Sequence, residues 1–254
     1  MKFEYKKEYC DDFLCGYYRI HDLDDINKLL DEVQVLSQEN QGYRFIMTLD
    51  DMGQASYTSM HSKMSNDLDD GTWLSTENID PSWMDGSFLR DDLSFDQQFL
   101  IRKLGFKHGL SKVQLEDVFE KNLFLGHESK KEIIESNKNP LAIIDKEVYL
   151  LKVPVKYSYE AIFSFPNGYF SCDLSPFENY RLAEHLEKEY GFHLFGIGAS
   201  YISFSKGPDF DAQKIEMLLE FLAKIYLKNE DKEFIDFMRL SILNRDILTL
   251  RYSE

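Results

Sequence analysis

An α+β fold is predicted for this 254-residue chain by three features of its sequence. Aromatic and β-branched runs alternate with helical periodicities in the first and last thirds. Serines followed three residues later by Gln or Glu crowd the middle, where that spacing opens helices. Two amphipathic helical patterns close the chain. We expect two βαββ-like units, a possible internal duplication, forming an antiparallel or mixed sheet, with a central helical segment and a C-terminal helical pair. Residues 1–92 read as an acidic α+β subdomain with a polar Trp-containing loop, 93–139 as a helical segment, and 140–254 as a second α+β subdomain with C-terminal helices. No Pro/Gly/Ser-rich connector separates them, so the subdomains should pack closely.

In chain order, Gly16-Tyr17-Tyr18-Arg19-Ile20 reads as a strand, and Asp22 as the N-cap of a helix carrying Ile26, Leu29, Leu30, Val33 and Leu36 on one face. Gly42 stops that helix before a strand at Tyr43–Met47, and Ala55-Ser56-Tyr57-Thr58 is expected to return as a third strand. The second half offers the same order. Tyr169–Cys172 reads as a strand, Ser175 with Pro176 and Glu178 as a capped helix ended by Gly191, and Phe192–Phe195 with Ala199–Ile202 as a hairpin around Gly196 and Gly198. Between the halves, Ser94/Gln97, Ser111/Gln114 and Ser129/Glu132 match the capping-box spacing. Leu141–Ile144 and Val148–Leu151 read as strands, and Asn167-Gly168 after Phe163-Ser164-Phe165 as a hairpin turn. Helices are expected over about 209–228 and from Asp231 onward.

Charge is unevenly distributed. Residues 1–100 hold 21 acids against 8 bases, whereas residues 101–254 hold 24 against 21. Concentrated like charge destabilises a compact state, so a use for it is expected. Acidity of this kind argues against nucleic acid and anionic membranes, which require displaced counterions, and favours a basic partner. The charged start MKFEYKKEYC lacks the apolar core of a secretory signal, no apolar run approaches a membrane span, and three cysteines form no disulfide framework. A cytoplasmic protein is expected, with no cofactor and no metal.

Residues 60–92 carry eight acids against Lys63 and Arg90, together with both tryptophans. Trp73 and Trp83 inside a rim of Asp67, Asp69 and Asp70 form a candidate recognition loop; otherwise the tryptophans pin the excursion to the sheet. Asn66–Glu77 has the length of a calcium loop but departs from the EF-hand pattern at Leu68, which cannot coordinate. Candidate catalytic or ligating residues are His185 and Glu189, one helical turn apart, with His193 on the next strand and Asp173 ahead of the helix. Cys10, Cys15 and His21 lack a fourth ligand. Gly196-Ile197-Gly198 is followed by strand-like sequence rather than the helix a phosphate loop needs. Residues 97–131 are locally basic, and their helices suggest a helix-turn-helix or a basic face that meets the acidic third. The leading expectation is a non-enzymatic interaction module of the immunity, inhibitor or adaptor type that uses its acidic N-terminal surface. The alternatives are a ligand- or metal-binding protein or enzyme with a His/Glu/Asp pocket between the two units, and a DNA-binding regulator.

Overall fold

Strands whose central positions are apolar on both faces belong in the middle of a sheet covered on both sides. Phe45-Ile46-Met47 and Phe192–Ile197 are such runs, and they lie side by side at the sheet centre. The computed structural model describes residues 1–6, 13–69, 79–145 and 148–253. Cys10, Asp70, Trp73 and most of the calcium-loop pattern lie outside the described residues.

Among those residues the chain is mixed α+β. Its strands are β1 (Lys2–Lys6), β2 (Gly16–His21), β3 (Arg44–Thr48), β4 (Met84–Asp85), β5 (Phe88–Leu89), β6 (Val148–Val153), β7 (Phe192–Ile197), β8 (Tyr201–Lys206) and β9 (Ile247–Arg251). The α-helices are α1 (Ile26–Glu39), α2 (Met52–Ser65), α3 (Phe95–Leu110), α4 (Glu116–Glu120), α5 (His127–Lys138), α6 (Pro176–Tyr190), α7 (Ile215–Tyr226) and α8 (Lys232–Asn244). A seven-stranded sheet runs β1-β2-β6-β3-β7-β8-β9, and β4 pairs with β5 as a separate ribbon. Within the large sheet only β3 and β7 pair in parallel, Met47 opposite Gly196 and Thr48 opposite Ile197. The order interleaves strands from residues 1–92 with strands from residues 140–254.

Period-two alternation sends side chains to two cores. Ile46, Leu151, Leu194, Phe204 and Leu250 enter the larger one with α3, α6, α7 and α8. Phe45, Met47, Val148, Leu150 and Phe195 face the other way, onto Leu29, Leu30 and Val33 of α1. No helix among the described residues is long and apolar enough to cross a membrane.

Several local expectations are corrected. Ala55–Thr58 lies inside α2, not in a strand; Asp51 caps that helix by accepting from the Gln54 amide, so a four-residue alternation is overridden by an N-terminal signal. Leu141–Ile144 follows Pro140 into a 3-10 turn rather than a strand. Tyr169–Cys172 carries no ladder bonds, and Phe163 ends a 3-10 turn, so no hairpin forms at Asn167-Gly168. Gly168 instead adopts φ +110 in a buried turn, where a Cβ would stand 1.9 Å from the Leu174 carbonyl oxygen. Asp25, not Asp22, caps α1. Ser111 closes α3, and Ser129 lies within α5, so neither is an N-cap. The boxes at Ser94/Gln97 and Ser175/Glu178 form as expected.

Candidate functional site

Of the candidates read from sequence, His185 and Glu189 share α6, while His193 and Asp173 lie on other elements with other partners. His185 and Glu189 line a shallow groove of about 270 Å³ between α4 and α6. The His185 ring lies 4.5 Å from the Phe221 ring, and burial holds its pKa below the ordinary histidine value. His193 on β7 bonds Asp209 at 2.9 Å. Asp173 is buried in the loop ahead of α6, beside Cys172. Among the described residues, no three His, Cys, Asp or Glu side chains stand close enough to hold a metal ion.

Asp69 is an ion-pair partner. Its carboxylate meets the buried Arg102 guanidinium twice, at 2.7 and 2.8 Å. Trp83 packs with Ile79, Met84, Leu89, Leu93 and Leu104 around Ile101, so it pins the excursion to α3 rather than to the sheet. Asp67, at φ +51, borders a cleft of about 450 Å³ with Gly105, His108, Gly109, Lys112 and Phe177. The would-be reading helix of a helix-turn-helix, α4, spans five residues, three of them acidic.

The unusual element is α2, whose polarity is reversed. A surface helix ordinarily turns its apolar stripe to the core. Here the buried positions are Ala55, Thr58, Ser59, Ser62 and Lys63. The outward positions include Tyr57, Met60 and Met64, which are 52%, 41% and 65% exposed. The helix is secured at its start rather than by an apolar seam: Asp51 accepts from the Gln54 amide, and Asp145 accepts from the Met52 amide at 3.1 Å. Carboxylates there also oppose the helix dipole favourably.

Beneath α2 runs a polar layer. The Thr58 hydroxyl donates to Asn167 Oδ1, and Asn179 Nδ2 donates to the carbonyls of Asn167 and Leu174. Ser59 Oγ, Ser62 Oγ, Asn167 Nδ2, Asn179 Oδ1 and Asp173 Oδ2 are buried without a protein hydrogen-bond partner. Each such group costs about 1–3 kcal/mol unless solvated. Local rules are broken in this way mainly where function requires it.

Above that layer the exposed aromatics join into one surface. Tyr57 and His61 ring centres are 4.3 Å apart, His61 and Tyr169 are 4.8 Å apart, and Tyr169 and Phe170 are 5.1 Å apart. Tyr169 and Phe170 are themselves exposed. Met60 and Met64 continue the same face along the helix, because positions three and four apart are neighbours.

A part-buried carboxyl, Asp50, and a buried one, Asp173, both lie near Tyr252. Asp50 Oδ2 accepts from the amides of Ser200 and Tyr201 at 2.8 and 3.2 Å, yet burial pushes its pKa up to about 6. A Cβ at Gly198 would stand 2.5 Å from that oxygen, so only glycine admits the approach. Burial likewise raises Asp173 to about 6. Tyr252 lies in the field of both, with its hydroxyl donating to the Gly198 carbonyl and its own carbonyl accepting from Leu174. A carboxyl raised in the folded state binds more protons there than in the unfolded chain. Its stabilising contribution is therefore full below the unfolded value near 3.8 and is lost as pH rises through about 6. Asp50→Asn keeps an oxygen acceptor and removes the titration. The stability difference between wild type and Asp50→Asn is expected to shift by roughly 2–3 kcal/mol in favour of wild type between pH 8 and pH 4. Urea denaturation across that range checks this, and parallel pH profiles would refute it.

No family model, curated protein or solved structure matches the chain. The functional reading therefore rests on the geometry alone. Sequence reading missed the α2 surface, although Asp51-Met52-Gly53-Gln54 has the capping-box spacing and Tyr57, Met60 and Met64 follow at helical intervals.

Proposed function

We propose that this chain is a non-enzymatic, cytoplasmic protein-interaction module whose acidic N-terminal third binds a basic partner, as an immunity protein, inhibitor or adaptor would. The supporting observation is that, among the described residues, acids of the N-terminal third stand exposed without an ion-pair partner. Asp22, Asp24, Asp31, Glu32, Asp85 and Asp91 are exposed and form no ion pair with a described residue. Several basic residues of the second stretch are engaged by acids of that same stretch: Lys121 with Glu178, Lys130 with Asp231, Arg181 with Glu184, Arg239 with Glu216, and Arg251 with Glu132. Among ion pairs whose two partners are both described, Arg102–Asp69 alone joins the two stretches. Among these pairs the locally basic segment meets the acidic stretch through Arg102 alone, so the six exposed carboxylates direct their field to solvent. Such a field accelerates encounter with a basic surface and rejects acidic ones.

The test compares wild type with a variant in which those six carboxylates become amides. These are exposed positions, so folding should change little. Immobilised wild type is expected to capture proteins of basic isoelectric point at low salt, with retention falling steeply at moderate salt. The neutralised variant is expected to lose at least tenfold of that capture. Equal capture by both proteins, or recovery of nothing basic, would overturn the proposal.

A further inference from the structure

The outward face of α2 has the geometry of a helix-packing seam. Gly53, Tyr57, Met60 and Met64 recur at spacings of four, three and four, the interval at which one helix lays side chains into the grooves of another. All four positions are exposed. His61, Tyr169 and Phe170 widen the seam on one side through tilted ring contacts. Aromatic and methionine side chains are the types enriched in interface cores, and methionine adapts to varied apolar partners.

The ends of the seam differ from its middle. Residues 52–65 contain a single charged side chain, Lys63, which is buried. Asp51 at one end and Asp67 at the other are exposed. A helix of 14 residues sets these carboxylates about 20 Å apart. The surface is therefore apolar and aromatic along its length and carries an exposed carboxylate at each end.

We propose that this face is the docking site for a basic amphipathic helix of the partner, its apolar stripe on Tyr57, Met60, Met64, Tyr169 and Phe170 and its cations toward Asp51 and Asp67. This rests on the reading of the chain as a binder of basic protein. Exposed tyrosine and phenylalanine faces also accept guanidinium or ammonium groups. A second copy of the chain is a poorer occupant: with a net charge of −16, two copies repel, and self-packing would bring like-charged helix ends together.

The probe is a synthetic peptide with leucine at heptad a and d positions and lysine elsewhere. Two controls replace its leucines by serine or its lysines by glutamate. Wild type is expected to bind the Leu/Lys peptide at least tenfold more tightly than either control. A Tyr57→Ser, Met60→Ser, Met64→Ser variant is expected to lose at least tenfold of that affinity with an unaltered thermal midpoint. Should the triple variant unfold, Met64→Ser alone, at the most exposed position, is expected to weaken binding severalfold. Asp51→Asn and Asp67→Asn preserve the cap and the backbone conformation, and are expected to reduce the salt dependence of binding. Unchanged binding by folded seam variants, or equal binding of the Leu/Lys and Ser/Lys peptides, would overturn the docking site while leaving the acidic-binder reading in place. Failure of both lysine peptides to bind would overturn both. A wild-type dimer in sedimentation that the seam variants abolish would assign the face to a second copy and refute the partner helix.

Discussion

Asp69→Ala is expected to destabilise the protein by about 3 kcal/mol or more, because it takes the bidentate carboxylate from a guanidinium buried in the fold. Arg102 is 2% exposed; its Nε and one terminal nitrogen reach the two Asp69 oxygens, and the other terminal nitrogen donates to the Ser164 carbonyl at 3.3 Å. Stripping the partner from a buried charge costs far more than removing both charges. Arg102→Met should therefore be the milder change, since the half-exposed Asp69 can hydrate once its partner is gone. The double variant is expected to be more stable than Asp69→Ala alone. Urea denaturation of the three variants at neutral pH decides the matter. A cost below about 1 kcal/mol for Asp69→Ala, or additive losses in the double variant, would remove the pair from the forces that hold this region. The pair also bears on function. Leu68, fully buried, and Asp69 directly follow α2, so the pair fixes the end of that helix to α3. Loosening it should weaken binding at the α2 face as well.

Asp69 illustrates which part of the site could be read from sequence. Its acidity was legible, and so was the basic character of residues 97–131. That Asp69 and Arg102, 33 positions apart, meet as a buried pair depends on tertiary approach, which no local pattern encodes. The same holds for the aromatic face. Tyr57 and Tyr169 read as members of two strands, and their shared surface exists only because the loop ahead of α6 lies beside α2.

The fold was legible where a few adjacent residues decide the backbone. Ser94 with Gln97, Ser175 with Pro176 and Glu178, and Asp231 ahead of α8 satisfy helix-end amides within one turn, so their sequence spacing is their structure. Gly191 ends α6 in the left-handed conformation that its position after the last turn implies. Short apolar runs were not legible. Ala55–Thr58 and Leu141–Ile144 fit a strand or a helical turn equally, and Asp51 and Pro140 decided against the strand. The parallel pairing of β3 with β7 and the placement of β1 and β9 at the sheet edges depend on contacts far apart in sequence. The mixed α+β class survived these errors because it follows from alternation along the whole chain.

The edge at β9 gives the second large expected effect. An unpaired strand edge exposes amides and carbonyls that another chain can capture. Here α5 closes it with one side chain. Asn137, fully buried, donates from Nδ2 to the Thr249 carbonyl at 2.7 Å and accepts at Oδ1 from the Thr249 amide at 2.9 Å. The amide thus takes the place of a neighbouring strand, while Nδ2 also donates to Ile133 within the helix. Asn137→Ala leaves both Thr249 backbone groups buried and unsatisfied, and is expected to cost about 3 kcal/mol or more. Asn137→Asp should behave differently with pH. Its carboxylate can accept from the Thr249 amide but meets the Thr249 and Ile133 carbonyl oxygens without a donor. Only the protonated form can donate, so acidification should recover part of the loss. Either variant should also expose Ile247-Leu248-Thr249-Leu250, an apolar stretch suited to edge pairing, and raise light scattering on mild heating. Hydrogen exchange at the Thr249 amide reads the same event locally and should quicken in both variants. Wild-type protection at that amide in Asn137→Ala would show that the edge is held by the packing of α5 rather than by this side chain.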